Sequence, residues 1–276
     1  MRYAAGNMIP TALPMCSLAY DSAARVPCWI GETEAAVFAF STRLGGTSAR
    51  PYDSLNLGRS TGDDPDAVTE NRRLLLDRLG LDPERLATAG QIHGVRAVRV
   101  SGPMLHPDCD ALVTTIPGLS LAVTAADCLP IVCIAPGAVA VAHSGWRGTA
   151  AGMPRSVLEA VCAAADVGPE QVHCHLGPSI RLCCYRVGDD VAKAFPDMAS
   201  VRIDGAWHVD LATAARVQLI QSGVRPEHVA DVAQCTACHP DRYFSHRRDA
   251  GMTGRLWAVA ALRDHRTRGT IHGERV

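Results

Sequence analysis

Between residues 86 and 143 the chain is a succession of short runs, "SLAVTA", "PIVCIA" and "AVAVAH" among them, dense in Val, Ile and Ala and separated by Gly, Pro or Asp. Each is about six residues long, the length of a strand buried on both faces rather than of a helix. These runs form the sheet core, and a sheet hidden on both sides needs other layers to hide it.

The flanking sequence supplies them. "DDPDAVTENRRLLLDRLG" reads as a helix opened by Asp-Asp-Pro, acidic in its first turn, Leu-rich near its end and closed by Gly80. "TAAGMPRSVLEAVCAAA", 149 to 165, reads as one helix with Val157, Leu158, Val161 and Cys162 on a single stripe. "AAVFAFSTRLGG", 35 to 46, is a strand that leaves Arg43 at its exit. A strand in "QVHCHLG", a helix from "VGDDVAKAF", a hairpin across "IDGAWHVD", a helix in "LATAARVQLIQSG" and a strand in "HVADVAQC" complete the alternation. The expected fold is mixed α/β: a single domain over 31–264 with a layered mixed β-sheet core flanked by helices. Residues 1–30 show no assignable period and read as a poorly defined extension, and 265–276 as a polar tail.

Composition narrows the function. The 276 residues include 27 basic and 28 acidic side chains, so the net charge of -1 provides no field for nucleic acid or an anionic membrane. The first 20 residues lack a continuous apolar signal core and no stretch is long enough to span a bilayer, which points to the cytoplasm and to small-molecule partners. Eleven irregularly spaced cysteines fit that compartment as free thiols. "QCTACHP" contains Cys235, Cys238 and His239 in the spacing of covalent haem attachment, but that chemistry belongs outside the cytoplasm. The pair reads instead as two structural cysteines at a strand end, with a dithiol or metal role as the alternative. A four-cysteine zinc site calls for a second CxxC, which the sequence lacks, and Cys183 and Cys184 would face opposite ways on an extended chain. His173 and His175 share one face of their strand and read as core or surface histidines.

Three sheet fragments end in residues suited to a transition metal: His93 in "GQIHG", Cys128 in "TAADC" and His143 in "AVAHSGWRG". Two imidazoles and a thiolate suit zinc and leave a fourth position open, as a catalytic site requires. Their separations match no compact metal motif, so spacing alone leaves open that each is a satisfied core residue.

Those fragments, with "STRLGGTSARPYDSLNLG", "GDDPDAVTENRRLL", "CDALVT", "GPSIRLCCYRVGDDV", "DLATAARVQL" and "FSHRRDAGMTGR", closely resemble the laccase-domain family over roughly residues 36 to 262. That family is also called polyphenol oxidase or multicopper-polyphenol-oxidase-like, and its characterised members are purine nucleoside phosphorylases with adenosine deaminase activity. The resemblance implies that His93, Cys128 and His143 bind the metal, zinc with copper as the alternative. It implies purine nucleosides (inosine, adenosine, guanosine, methylthioadenosine) and phosphate as substrates. Arg43, Arg247 and Arg248 fall in matching motifs as phosphate ligands, Arg147 and Asp127 as catalytic groups, and Asp127 or Asp110 could orient an imidazole. The sequence departs from the family at Arg181, Arg186 and His246, where Gly, Glu and Tyr are usual, which bears on substrate preference or local packing. Two competing readings are a copper oxidase of phenols and a factor that binds or edits cell-envelope precursors around a structural metal. The first needs several coppers and paired H-x-H clusters, of which "HCH" is the one instance.

Overall fold

The computed structural model describes residues 17–264. Two large sheets pack face to face. The first has seven strands in the order β1 (Ser17–Asp21), β2 (Cys28–Glu32), β3 (Ala36–Ser41), β16 (Leu256–Leu262), β8 (Ser120–Ala125), β4 (Leu86–Ala89) and β6 (Leu105–His106). The second has six, in the order β15 (Val229–Asp231), β11 (His173–Leu176), β9 (Leu129–Ala135), β10 (Ala138–Ser144), β7 (Ala111–Thr114) and β5 (Ala97–Arg99). A small third sheet, β12 (Arg186–Val187), β14 (Ala206–Val209) and β13 (Ser200–Ile203), holds the expected hairpin. Most pairings are antiparallel, with parallel ones at β4–β6, β4–β8, β5–β7 and β11–β15.

The layers explain the unalternating runs. Between the sheets, Phe38, Phe40, Leu121 and Val123 of the first meet Leu112, Val132, Ile134 and Val141 of the second. The outer face of the first sheet, with Val37, Ala39 and Val259, is covered by Leu74, Leu75 and Leu76 of α1 (Pro65–Arg78). The outer face of the second, with Ile131, Cys133 and Ala140, is covered by Val157, Leu158 and Val161 of α3 (Met153–Ala165) and by α5 (Leu211–Gln221). Every residue of β9, β10 and β16 is therefore buried, although their neighbours run antiparallel. Continuous burial here marks a sheet covered twice, not a parallel one.

Three expectations need correction. Residues 17–30 are not a loose extension: β1 and β2 extend the first sheet by antiparallel pairing from β3 outward. Residues 1–16 and the tail 265–276 lie outside the described residues. The single helix expected over 149–165 is two, α2 (Trp146–Ala151) and α3, because Gly152 takes φ 100° between them. The helix from "VGDDVAKAF" shrinks to one turn, α4 (Asp189–Ala192). Among the described residues no helix is long and apolar enough to cross a membrane.

Candidate functional site

The three metal-suited residues arrive on separate segments at one end of the sandwich. Cys128 closes the turn from β8 to β9, His143 is the penultimate residue of β10, and His93 follows β4. Their ligand atoms, one per side chain, lie within 4.8 Å of one another. The His93 and His143 rings meet edge to face at 4.8 Å. His143 is buried, Cys128 half-buried and His93 exposed, so the group opens on one side.

Asp110, wholly buried just before β7, organises the group. Its carboxylate accepts the backbone N–H groups of Ile92 (3.1 Å), His93 (3.0 Å) and Gly94 (2.8 Å), which fixes the loop carrying His93. It also lies 2.9 Å from His143 Nδ1, which leaves Nε2 for an ion. Gln91 anchors the same loop from its other side, bonding Thr124 of β8 through both ends of its amide. These bonds hold Gln91 and His93 at φ 62° and 61°, which L residues rarely adopt unaided. Gly145 completes the fit: a Cβ there would fall 2.8 Å from His93 Nδ1 and 3.1 Å from Cys128 Sγ.

The electrostatics suit a cation. Burial pushes the His143 imidazole down, but Cys128 and Asp110 outweigh it and carry it up to about 9. Burial and the neighbouring His143 push His93 down. Without metal His143 therefore holds a proton, and a divalent ion would take that proton's place.

The group lines a cavity of about 670 Å³, within the range of small-molecule sites. Its wall includes Thr88, Thr124, Tyr185, His246, Trp257 and four arginines: Arg59, Arg72, Arg247 and Arg255. Arg72 is held by the Leu57 carbonyl and stacks over the Trp257 ring at 4.7 Å. Arg255 donates to the carbonyls of Thr253 and Gly254. Burial and repulsion from Arg59 push Arg72 down to about 9, and burial pushes Arg255 down. Among the described residues no carboxylate pairs with Arg59, Arg72 or Arg255. Cationic forks without counter-ions at a cavity wall are a place for an anion.

The arginines named from the sequence are mostly elsewhere. Arg43 is not among the cavity residues; its guanidinium donates to the carbonyls of Asp53 and Pro240, pairs with the Asp53 carboxylate at 3.2 Å and covers the Phe244 ring. Arg248 is spent on Asp249 and on the carbonyls of Thr236 and Tyr243. Arg147 stacks on Trp146 at 4.4 Å, exposed and outside the lining. Of the named set, Arg247 and Asp127 do line the cavity. The Asp127 carboxylate, however, accepts Thr236 Oγ1 and the Arg247 N–H, both at 2.6 Å. It tethers the loop over the cavity while Asp110 alone orients an imidazole. Arg181 bonds Asp231 through both terminal nitrogens and Asp210 through Nε, so that departure serves packing.

One reading of the cysteines is overturned. Residues 182–184 form a turn, not an extended strand, and both thiols come to one place: Cys183 Sγ lies 3.5 Å and Cys184 Sγ 3.3 Å from Cys238 Sγ. With Cys235 they make a second group of potential ligands, also within 4.8 Å of one another. His173 stacks on His228 at 4.0 Å, and His175 packs on Phe38 at 4.3 Å, so neither joins a metal group.

Comparison with known proteins now decides the family. The family model "Multi-copper polyphenol oxidoreductase laccase" matches residues 37–263. The chain belongs to this laccase family. Its relatives include purine nucleoside phosphorylase YlmD of Geobacillus stearothermophilus, 35% identical over 252 residues, 84% of this chain and 92% of that one. Purine nucleoside phosphorylase YfiH of Escherichia coli is 37% identical over 240 residues, 84% of this chain and 95% of that one. The crystal structure of Geobacillus YlmD superposes with a TM-score of 0.81 at 32% identity, covering 90% of this chain and 100% of that one. The layered α/β fold is thus the laccase-family fold, and the relatives' names point to nucleoside phosphorolysis rather than phenol oxidation.

Proposed function

We propose that the chain is a zinc-dependent purine nucleoside phosphorylase that also deaminates adenosine in the cytoplasm. The observation that carries the reading is a single cavity with the open His93, Cys128 and His143 group on one wall and unpaired arginines on another. The donor set fits zinc: two imidazoles and one thiolate converge, and among the described residues no fourth His, Cys, Asp or Glu closes the group. A closed group would instead have suited a purely structural metal.

In phosphorolysis, Arg59, Arg72 and Arg255 hold and orient the phosphate dianion, which attacks the ribose carbon as the purine leaves. Among the described residues Arg59 is the fork without an anchor, since the other two are held by backbone carbonyls. Burial pushes the Tyr185 phenol up to about 12, so it stays a hydrogen-bond donor to the departing base. Bound zinc would supply a hydroxide for deamination by lowering the pKa of its water from 15.7 towards ~7. Asp110 keeps His143 and His93 in the geometry that holds the ion.

The test is product analysis with inosine, guanosine, methylthioadenosine or adenosine, with and without phosphate. Free base and ribose 1-phosphate should appear only with phosphate, and inosine should form from adenosine in either case. Base release independent of phosphate, or no turnover of any nucleoside alongside oxidation of phenols by copper-loaded protein, would overturn the reading. Oxygen reduction to water needs several coppers with many His ligands. Among the described residues only one potential ligand group contains histidine.

A further inference from the structure

We infer that Cys183, Cys184, Cys235 and Cys238 form a second metal site, a closed tetrathiolate that takes zinc or a cation of similar softness and size. Two loops distant in sequence converge to make it. The first is the turn at 182–184, closed by the Cys184 and Tyr185 N–H groups on the Arg181 carbonyl. The second is the CxxC turn after Gln234, paired to the first region by the bridge between Ser179 and Cys235 and by the Thr236 N–H on the Ser179 carbonyl.

The spacing is that of a coordination sphere. All four sulfurs lie within 4.8 Å of one another, with Cys238 Sγ 3.3 Å from Cys184 Sγ and 3.5 Å from Cys183 Sγ. A tetrahedral ion with bonds of about 2.3 Å to sulfur holds its sulfurs about 3.8 Å apart. None of the four thiols is in a disulfide. Four soft ligands and no open position describe a structural site, unlike the three-ligand group in the cavity. On binding, the four thiols release four protons to solvent, and the metal dication with four thiolates carries a net charge of minus two.

The site would pin the cavity wall. Tyr185 directly follows Cys184, and the CxxC loop runs on to His246 and Arg247; all three line the cavity. The inference does not depend on the proposed reaction, because its primary readout is metal content.

The experiment compares zinc per chain in the intact protein, Cys128→Ala, and Cys235→Ser with Cys238→Ser, each purified without chelator. Two ions in the intact protein and one in each variant are expected. Cobalt substituted into Cys128→Ala should give intense thiolate charge-transfer absorption, which disappears when Cys235→Ser and Cys238→Ser are added. The appearance of that absorption needs only the folded Cys128→Ala chain, so poor folding of the serine variants does not obscure it. One ion in the intact chain, all of it lost with Cys128, would overturn the site. Metal-free cysteines joined as disulfides in freshly isolated protein, shown by intact mass, would do the same.

Discussion

The two poles of the cavity are built by different means. At the metal pole, His143 and Cys128 sit at the ends of fully buried strands, and one buried carboxylate ties His143 to the loop of His93. At the arginine pole the side chains come from a surface loop (Arg59), a helix (Arg72) and the residue before β16 (Arg255); backbone carbonyls steady two of the three, and Arg72 also stacks on Trp257. A site for a small hard-to-hold ion needs fixed distances, which rigid strand ends provide. A site for a larger dianion needs mainly uncompensated charge in a partly dry wall, which flexible forks from any element can deliver.

The largest effect that would sharpen this contrast is at the metal pole. Cys128→Ala leaves two imidazoles and should abolish deamination and phosphorolysis together. The cavity metal should fall by more than the ~10–100-fold that a lost supporting hydrogen bond costs. Retention of that ion by the variant, measured by equilibrium dialysis, would break the comparison, since His93 and His143 would then suffice. Asp110→Asn tests the scaffold rather than the ligand. The amide cannot accept three N–H groups and an imidazole as a charged carboxylate does, so metal affinity should drop by ~10–100-fold at unchanged protein concentration. Added zinc should restore most of the turnover, an outcome that a merely misfolded variant would not show.

How much of this was legible in the sequence follows the same division. At the metal pole the sequence offered three metal-suited residues at the ends of apolar runs, and the family resemblance, not their spacing, grouped them; the Asp110 bonds that bring the His93 loop to His143 depend on distant segments. The double-sided sheet was legible in "PIVCIA" and "AVAVAH". The arginine pole was not: Arg72 lies within a helix among ordinary surface charges, and Arg255 follows a glycine, so nothing local separates them from Arg43 or Arg248. What distinguishes them is the absence of a carboxylate partner, which depends on contacts between distant segments. The clustering of Cys183 and Cys184 was hidden by assuming an extended chain where the Arg181 carbonyl closes a turn. β1 and β2 were missed because they lie at the margin of the first sheet, where cover is incomplete and the apolar pattern is weaker, with half-buried positions such as Trp29 and Ile30.

The arginine pole predicts a separation of the two activities. Arg59→Gln removes an exposed cationic fork that anchors nothing among the described residues, so folding and zinc content should be unchanged. Loss of one charge-assisted hydrogen bond costs about 1.5 kcal/mol, or roughly tenfold, at its lower limit. The phosphate KM should rise by about that factor while adenosine deamination, which needs only water and the metal, keeps its rate. Equal losses in both would mean that Arg59 meets the nucleoside, and would merge the two poles into one.

The smallest effect is expected at Arg43, where motif and geometry disagree. The family motif places it as a phosphate ligand, but its three donor nitrogens are engaged by Asp53 and the Pro240 carbonyl, and its flat face lies 4.7 Å from the Phe244 ring centroid. Arg43→Lys keeps a charge but loses the planar fork and the stacking. The phosphate KM should therefore change by less than about twofold, because no bond to the substrate is lost. The melting temperature should fall instead, since the Pro240 carbonyl and the loop at Asp53 lose a shared anchor. A tenfold rise in phosphate KM with unchanged melting temperature would show that Arg43 leaves these partners when phosphate binds. The anion would then be held by a moving fork, and the arginine pole would extend beyond the cavity wall described by Arg59, Arg72 and Arg255.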